Sequence, residues 1–263
     1  MLTERSARVV AAVKLHRHVA RRRAQRFLVE GHNLVEAAAR RGLVREIFVT
    51  ESAAQRHGPF LATPDVPVHL VTERAVKALS DTVTPAGVVA VCQLPAPELH
   101  RVLADEPRLV AVAVGVGEPG NAGTVIRIAD AMGADAVVLT GHSVDPYNGK
   151  CLRASAGSIF TVPVVVAPDT DVALEALRDA GLQLLATAPH GELCLDDAEP
   201  LLMQPTAWLF GPESHGLAAE VVAAADHRVR IPMWGGAESL NVAAAAAICL
   251  YQSARVRRSG ASG

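Results

Sequence analysis

The sequence predicts an α/β protein made of two alternating strand and helix units, the second built on a mainly parallel sheet covered on both faces. Two observations lead there. Apolar runs such as RLVAVAVGVG (Arg108–Gly117) and AVVLT (Ala136–Thr140) are hydrophobic almost throughout, and helical patterns rather than hairpin turns separate them; strands buried on both sides read this way. Between residues 94 and 107 the stretch LPAPELHRVLADEP loses β character, and Pro95, Pro97 and Pro107 lack the N–H that a sheet requires. A boundary is expected there, giving an N-terminal domain over residues 1–95, a linker over 96–107, a second domain over 108–255 and a disordered tail over 256–263.

The elements follow in order. Residues 3–25 form a helical pattern with Val9, Val10, Val13 and Val19 apolar among basic residues. FLVEG (27–31) reads as a strand, followed by a helix (33–41), a strand (44–50), a weak helix near Ser52, a strand (68–71), a helix opening at Thr72 and a strand (87–93). In the second unit the strand from Arg108 meets the turn EPGNAG, then a helix over 124–132 and the strand 136–140. The loop GHSVDPYNGK leads to a helical turn at 153–156 and a strand over 159–166. A helix (171–180), strands (182–187 and 207–211), a helix (217–225), a strand (228–231) and a terminal helix (240–255) complete the chain.

The chain has 263 residues, enough for one or two proper cores. Half of them are hydrophobic and only 20% charged, which excludes a disordered chain. No apolar run reaches membrane-spanning length, and MLTERSARVV lacks a signal-peptide core, so a cytoplasmic protein is expected. Cys92, Cys151, Cys194 and Cys249 show no CxxC or Cys/His spacing, and His16 and His18 point to different helix faces; neither a metal site nor a disulfide framework is signalled. Charge is uneven. Residues 1–41 hold ten Lys/Arg against Glu4, Glu30 and Glu36, a local +7 in a chain whose net charge is −2. The cluster Arg21, Arg22, Arg23 and Arg26 suits either a solvated helix face or a contact with nucleic acid.

Gly115-Val116-Gly117-Glu118-Pro119-Gly120 matches GxGxxG after a strand. Pro119 has no N–H for a pyrophosphate and no ribose-binding acid ends the next strand, which counts against a nicotinamide dehydrogenase. Asn121 and Arg127 lie on the following helix. A guanidinium among Val125, Ile126, Ile128 and Ala129 calls for an anionic partner, such as Glu213 or a phosphate. Glu213 falls in the turn FGPESHG, and Ser239 and Asn241 fall in IPMWGGAESLN. Taken singly, Asn121 and Ser239 are helix caps and Glu213 a helix-start carboxylate; three polar turns on one sheet edge make a site.

EPGNAGTVIRIADAMGADAVVL, LFGPESHGL and IPMWGGAESLNVAAAAAICLY resemble, in order and spacing, the three motifs of the SpoU/TrmH family of S-adenosylmethionine-dependent RNA ribose 2′-O-methyltransferases, over about residues 108–255. VEGHNLV and SDTVTPAGVVAV resemble the ribosomal-protein-like RNA-binding domain of members acting on ribosomal RNA, with the thiostrepton-resistance type nearest. The resemblance implies a trefoil-knotted catalytic domain, the knot lying near Trp208–Asn241, and a homodimer with shared active sites, with no metal and no membrane. It maps the cofactor pocket onto Thr187, Gly211, Ile231 and Leu240, the catalytic set onto Asn121, Arg127, Glu213, Ser239 and Asn241, and substrate binding onto Arg153. Large-subunit ribosomal RNA is the expected substrate; transfer RNA and a non-catalytic RNA-binding factor are the alternatives.

A guanidinium stays protonated at ordinary pH. Arg127 and Arg153 are therefore expected to clamp the target phosphate and favour a developing alkoxide, with Glu213 holding Arg127 and Asn121, Ser239 and Asn241 orienting the ribose.

Overall fold

The computed structural model describes residues 1–61 and 66–260. They form two compact units: Met1–Pro95 joined by Tyr147–Phe160, and Ala96–Pro146 joined by the residues from Thr161 onward.

In the first unit the expected N-terminal helix is broken in two. Helix α1 (Ala7–Val13) passes through a 3-10 turn, Lys14–His16, and α2 (His18–Ala24) starts afresh after Arg17, whose backbone is extended at φ −90°, ψ 130°. The break frees backbone carbonyls that no helical N–H can satisfy. Arg21, only 5% exposed, donates from Nη1 to two of them, Leu15 O at 2.9 Å and His16 O at 2.8 Å. Then come β1 (Arg26–Glu30), α3 (His32–Arg40), β2 (Val44–Val49), α4 (Glu51–Leu61), β3 (Val68–Leu70), α5 (Glu73–Leu79) and β4 (Val88–Gln93).

The sheet order is β1-β4-β2-β3. Strand β4 is antiparallel to both neighbours and buried from Val88 to Cys92, which explains its unbroken apolar sequence, while β2 and β3 run parallel. Val9, Ala12 and Leu15 pack with Phe48, Val76, Leu79 and Val91 to form one core. Glu30 binds the motif VEG to the later SDTVTPAG: its Oε1 accepts from Ser80 Oγ (2.7 Å), Thr82 Oγ1 (3.0 Å) and Ala86 N (3.2 Å). Those two stretches, with Glu30 and Ser80 lying 50 positions apart, are therefore one polar corner.

The second unit begins where a linker was expected. Residues 99–104 form helix α6 (Leu99–Ala104), and Leu99, Val102 and Leu103 pack on this unit's core. There follow β5 (Leu109–Val114), α7 (Pro119–Ala131) and β6 (Ala136–Thr140). The next helix, α8 (Gly149–Ser155), belongs to the first unit, where Tyr147 and Phe160 on either side of it set their rings 4.9 and 6.3 Å from that of Phe27. The chain returns through β7 (Val164–Ala167), α9 (Thr170–Asp179), β8 (Gln183–Thr187), β9 (Leu193–Cys194), α10 (Glu199–Leu202), β10 (Thr206–Phe210), α11 (Ala219–Ala224), β11 (His227–Arg230) and α12 (Val242–Gly260). The expected tail is helical over residues 256–260, and residues 261–263 lie outside the described residues.

Seven strands form one sheet in the order β7-β6-β5-β10-β8-β11-β9, every pair parallel. The expected parallel α/β unit is thus observed. Helix α7 starts at Pro119 rather than Thr124, because Glu118 caps it with Oε2 accepting from Asn121 N at 2.7 Å and Pro119 supplies the φ that a first helical residue needs. Its buried residues Ala122, Val125, Ile126 and Ala129 follow helical spacing. The strand expected from Ile159 begins only at Val164, after a 3-10 turn. Trp208, fully buried on β10, donates from Nε1 to the buried Ser253 Oγ at 2.9 Å. This fastens α12 to the middle of the sheet with a bond as well as with apolar area.

Candidate active site

In open parallel sheets, ligands sit beyond the carboxyl ends of the strands. At that edge of the second unit the ends of β8, β10 and β11 bring Thr187, Gly211 and Ile231 around a cavity of about 350 Å³, with Leu240 closing it from the approach to α12. All four residues expected to hold the cofactor therefore line one cavity. Glu213 and Ser239 line it as well.

The turn FGPESHG is tight for a reason visible in its glycines. Gly216 has φ +68° and donates from its N–H to Pro212 O at 2.8 Å. A side chain on Gly211 would place Cβ 2.5 Å from Gly216 C and Leu217 N, which are backbone atoms that cannot yield. The loop folds back onto its own start, and residues 211–217 all line the cavity. Thr187 Oγ1 donates to Leu209 O at 2.9 Å, tying β8 to the end of β10.

The polar network is centred on one oxygen. Glu213 Oε1 accepts from Asn121 Nδ2 at 2.8 Å, from Asn241 Nδ2 in a short hydrogen bond and from Val242 N at 3.1 Å. Asn241 Nδ2 also reaches Asn121 Oδ1 at 3.1 Å, and Asn241 Oδ1 caps α12 by accepting from Ala243 N (2.9 Å) and Ala244 N (3.3 Å). An ionised carboxylate can only accept, so it turns both amide NH₂ groups toward itself and leaves their orientation unambiguous. Residues from three separate turns, 120 positions apart at the extremes, thus form one hydrogen-bonded unit.

The expected roles need two corrections, for Glu213 and Arg21, and the plain helix-cap reading of Ser239 falls. Glu213 does not hold Arg127. It holds the two asparagines, while Arg127 is exposed on α7 with no hydrogen bond or ion pair among the described residues. Ser239 is not the cap of α12, since Asn241 fills that role; Ser239 is exposed at the cavity wall. Arg21 is not part of a basic surface, because burial and its bonds to Leu15 and His16 occupy it; Arg22, Arg23 and Arg26 are exposed.

Arg153 lies on α8 in the first unit, paired with Asp81 by a short contact. The sequence reading missed Asp81, and it missed Glu118, for which an acid directly before a proline and a helical run was a usable signal. His215 and Glu238 also line the cavity and were not singled out. Among the described residues no group of His, Cys, Asp or Glu could hold a metal ion, and no helix is long and apolar enough to cross a membrane.

Comparison with known proteins identifies both halves. Residues 108–251 match the SpoU rRNA Methylase family, and residues 7–90 match the MRM3-like substrate binding domain. The chain is 35% identical over 243 residues to the 23S rRNA (guanosine(2553)-2′-O)-methyltransferase RlmP of Bacillus subtilis, covering 90% of this chain and 92% of the relative. It is 40% identical over 181 residues to a 23S rRNA (uridine(2479)-2′-O)-methyltransferase of Streptomyces viridochromogenes, covering 67% and 62%. The crystal structure of the SpoU methyltransferase AviRb from Streptomyces viridochromogenes in complex with AdoMet superposes with a TM-score of 0.86 at 34% identity, covering 97% of this chain and 99% of that one.

Proposed function

The chain belongs to the SpoU rRNA methylase family, and from that premise we propose that it methylates a ribose 2′-hydroxyl of large-subunit ribosomal RNA with S-adenosylmethionine as donor. The observation that carries the reading is the Glu213 network, which joins Asn121 and Asn241 beside the cavity. The cavity fits the donor. Its volume of about 350 Å³ falls in the range of cofactor sites, apolar side chains such as Ile231, Leu240 and Val229 suit a purine, and the backbone of residues 211–217 offers polar groups. Thr187, Gly211, Ile231 and Leu240 would hold it. When bound, S-adenosylmethionine supplies an electrophilic methyl group on a sulfonium.

The protein's own part is to place a hydroxyl and manage its proton. Asn121 and Asn241 are locked by Glu213, and their positions suit orienting the ribose; the exposure of Ser239 at the wall supports a hydrogen bond from it to the same sugar. Arg127, exposed and without a hydrogen bond or ion pair among the described residues, is the group suited to meet a substrate phosphate and to favour negative charge developing on the 2′-oxygen. Arg153 is assigned the RNA backbone, with Asp81 fixing its guanidinium. Arg22, Arg23 and Arg26 add phosphate contacts in the N-terminal domain.

The same reading makes the protein a homodimer sharing its active sites. Ile248 (39% exposed) and Tyr251 (58%) on α12 are large apolar groups presented to solvent by a lone chain, as is Trp234 (87%) in the cavity loop. It also threads residues 208–241 through a trefoil knot, a reading supported by β10 lying between β5 and β8. Mapping of 2′-O-methylated nucleosides in ribosomal RNA from cells with and without the protein tests the function: one 23S nucleotide should lose its methyl group in the deletion strain. An unchanged ribosomal map, or a missing methyl group in transfer RNA, refutes it.

A further inference from the structure

A second cavity, of about 490 Å³, opens in the second unit and has no part in the network above. Three of the residues around it are arginines: Arg108, just before β5, and Arg257 and Arg258, in the last turns of α12. The site sits at the amino end of β5, whereas the catalytic network sits beyond the carboxyl ends, and a six-residue strand separates the two edges by on the order of 20 Å.

Cations at a helix carboxyl end are ordinarily explained by the helix dipole, which accounts for Arg257 and Arg258 taken alone. It does not account for Arg108 converging on them from another element, or for the hollow between. The carboxylate nearby, Asp135, is already engaged: its Oδ2 accepts from the backbone N–H of Arg108 (2.7 Å) and of Leu109 (2.9 Å). One carboxylate beside the guanidiniums of Arg108 and Arg257 leaves an excess of positive charge between those two. Arg108 is held by a bond from Nη2 to Met203 O at 2.9 Å, which fixes its plane and leaves its other N–H groups available. Arg257 is half-buried and has no hydrogen bond among the described residues. Burial draws its guanidinium below the ordinary value, Asp135 counters, and Arg108 adds repulsion. An anion placed between Arg108 and Arg257 would relieve that repulsion and complete both forks.

We propose that this cavity is a phosphate-binding site whose ligand is a backbone phosphate of the RNA substrate, bound on the edge of the sheet opposite the reaction. The inference rests on the RNA reading above and extends it: a folded ribosomal RNA domain would be gripped at two edges of one catalytic domain. Fixed arginine forks are the side chains best matched to a phosphate, and RNA is the polyanion that the activity already brings to the surface.

The test uses the full-length protein and two RNAs, a long ribosomal transcript and a short stem-loop carrying the target nucleotide, with affinities measured across a potassium chloride series. For the long transcript, Arg257→Gln should weaken binding about fivefold to tenfold at physiological salt and make the slope of log K against log salt shallower by about 0.7–0.9, the loss of one phosphate contact. Arg257→Glu should do more, and Arg257→Lys little. Single-turnover methylation at saturating RNA should stay at the wild-type rate, as should short stem-loop binding. Arg258→Gln serves as a second variant should Arg257→Gln melt early. Identical affinities and slopes for wild type and Arg257→Glu overturn the proposal. Inorganic phosphate binding by calorimetry, lost in Arg257→Glu while RNA affinity is unchanged, would reassign the site to a free phosphate compound and overturn the RNA assignment. Failure of the wild-type protein to methylate any RNA would instead strike the proposed function, and the salt slopes would still be read independently.

Discussion

Glu213→Gln is the substitution that tests the network most directly, because it preserves shape and removes only the charge. In the native site one carboxylate oxygen accepts three N–H groups, from Asn121, Asn241 and Val242. A bond to a charged group contributes about 1.5–3 kcal/mol and a neutral one about 0.5–1.5, so each bond weakens by about 1–1.5 kcal/mol before screening; with Glu213 exposed, solvent screening should reduce the net stability loss to about 1 kcal/mol. The functional loss should be larger. A glutamine carries an NH₂ as well as an oxygen, so it can be satisfied with either asparagine flipped, and the amides no longer have one orientation. Misplacing a positioning group by about 1 Å costs on the order of a hundredfold in rate. Single-turnover methyl transfer to ribosomal RNA should therefore fall about 30-fold to 100-fold, while the affinity for S-adenosylmethionine, measured by calorimetry, should stay within about threefold, the tenfold mark being about 1.4 kcal/mol. A wild-type single-turnover rate would refute the positioning role. A cofactor affinity falling in step with the rate would assign Glu213 to the cofactor instead.

Other expectations follow from the same geometry. Arg127 makes no bond within the described residues, so Arg127→Ala should leave the melting free energy within about 0.5 kcal/mol and still cut methylation by at least about a hundredfold; a stable variant with near-native activity refutes its role. Arg21→Ala should destabilise the first unit by about 1–3 kcal/mol by orphaning the Leu15 and His16 carbonyls, with no change in the salt dependence of RNA binding, whereas joint replacement of Arg22, Arg23 and Arg26 by alanine should do the reverse. Gly211→Ala should abolish cofactor binding in calorimetry, since its Cβ would lie 2.5 Å from loop backbone. Burial pushes the thiols of Cys92 and Cys249 far above their ordinary value of 9.0. Both should resist thiol reagents in the native protein while Cys194, partly exposed, reacts. Stability should be full below the unfolded thiol value and decline as pH rises past it, because only the unfolded chain then ionises; a flat profile in equilibrium unfolding between pH 8 and 10, on the order of the thiol range, refutes this.

Most of the parallel sheet of the second unit was legible because a strand buried on both faces must be apolar at each position, as β5 and β6 are; the two-residue edge strand β9, half-buried, carries no such signal and was missed. The candidate site was legible for a related reason, since polar residues held in glycine-bracketed turns at strand ends have few structural uses. What local pattern could not supply was partnership. Arg127 sits among apolar neighbours in sequence, which invited an internal anion, yet Val125, Ile126 and Ala129 face the core and the arginine does not; adjacency along a helix is not adjacency in space. Arg21 belonged to a run of identical residues and only its place one turn past a helix break distinguished it, a break that no glycine or proline announces. Residues 147–160 were assigned by continuity to the domain on either side of them, whereas Tyr147 and Phe160 find their aromatic partner in Phe27, more than a hundred positions earlier. Asp81 follows from that same pairing: with α8 in the first unit, Arg153 meets a carboxylate that no spacing rule could have supplied. Residue type and period report which side chains leave water, and the choice of partner is made by topology, so the network around Glu213 could be assembled as a list from the sequence but its bonds could be assigned only in three dimensions.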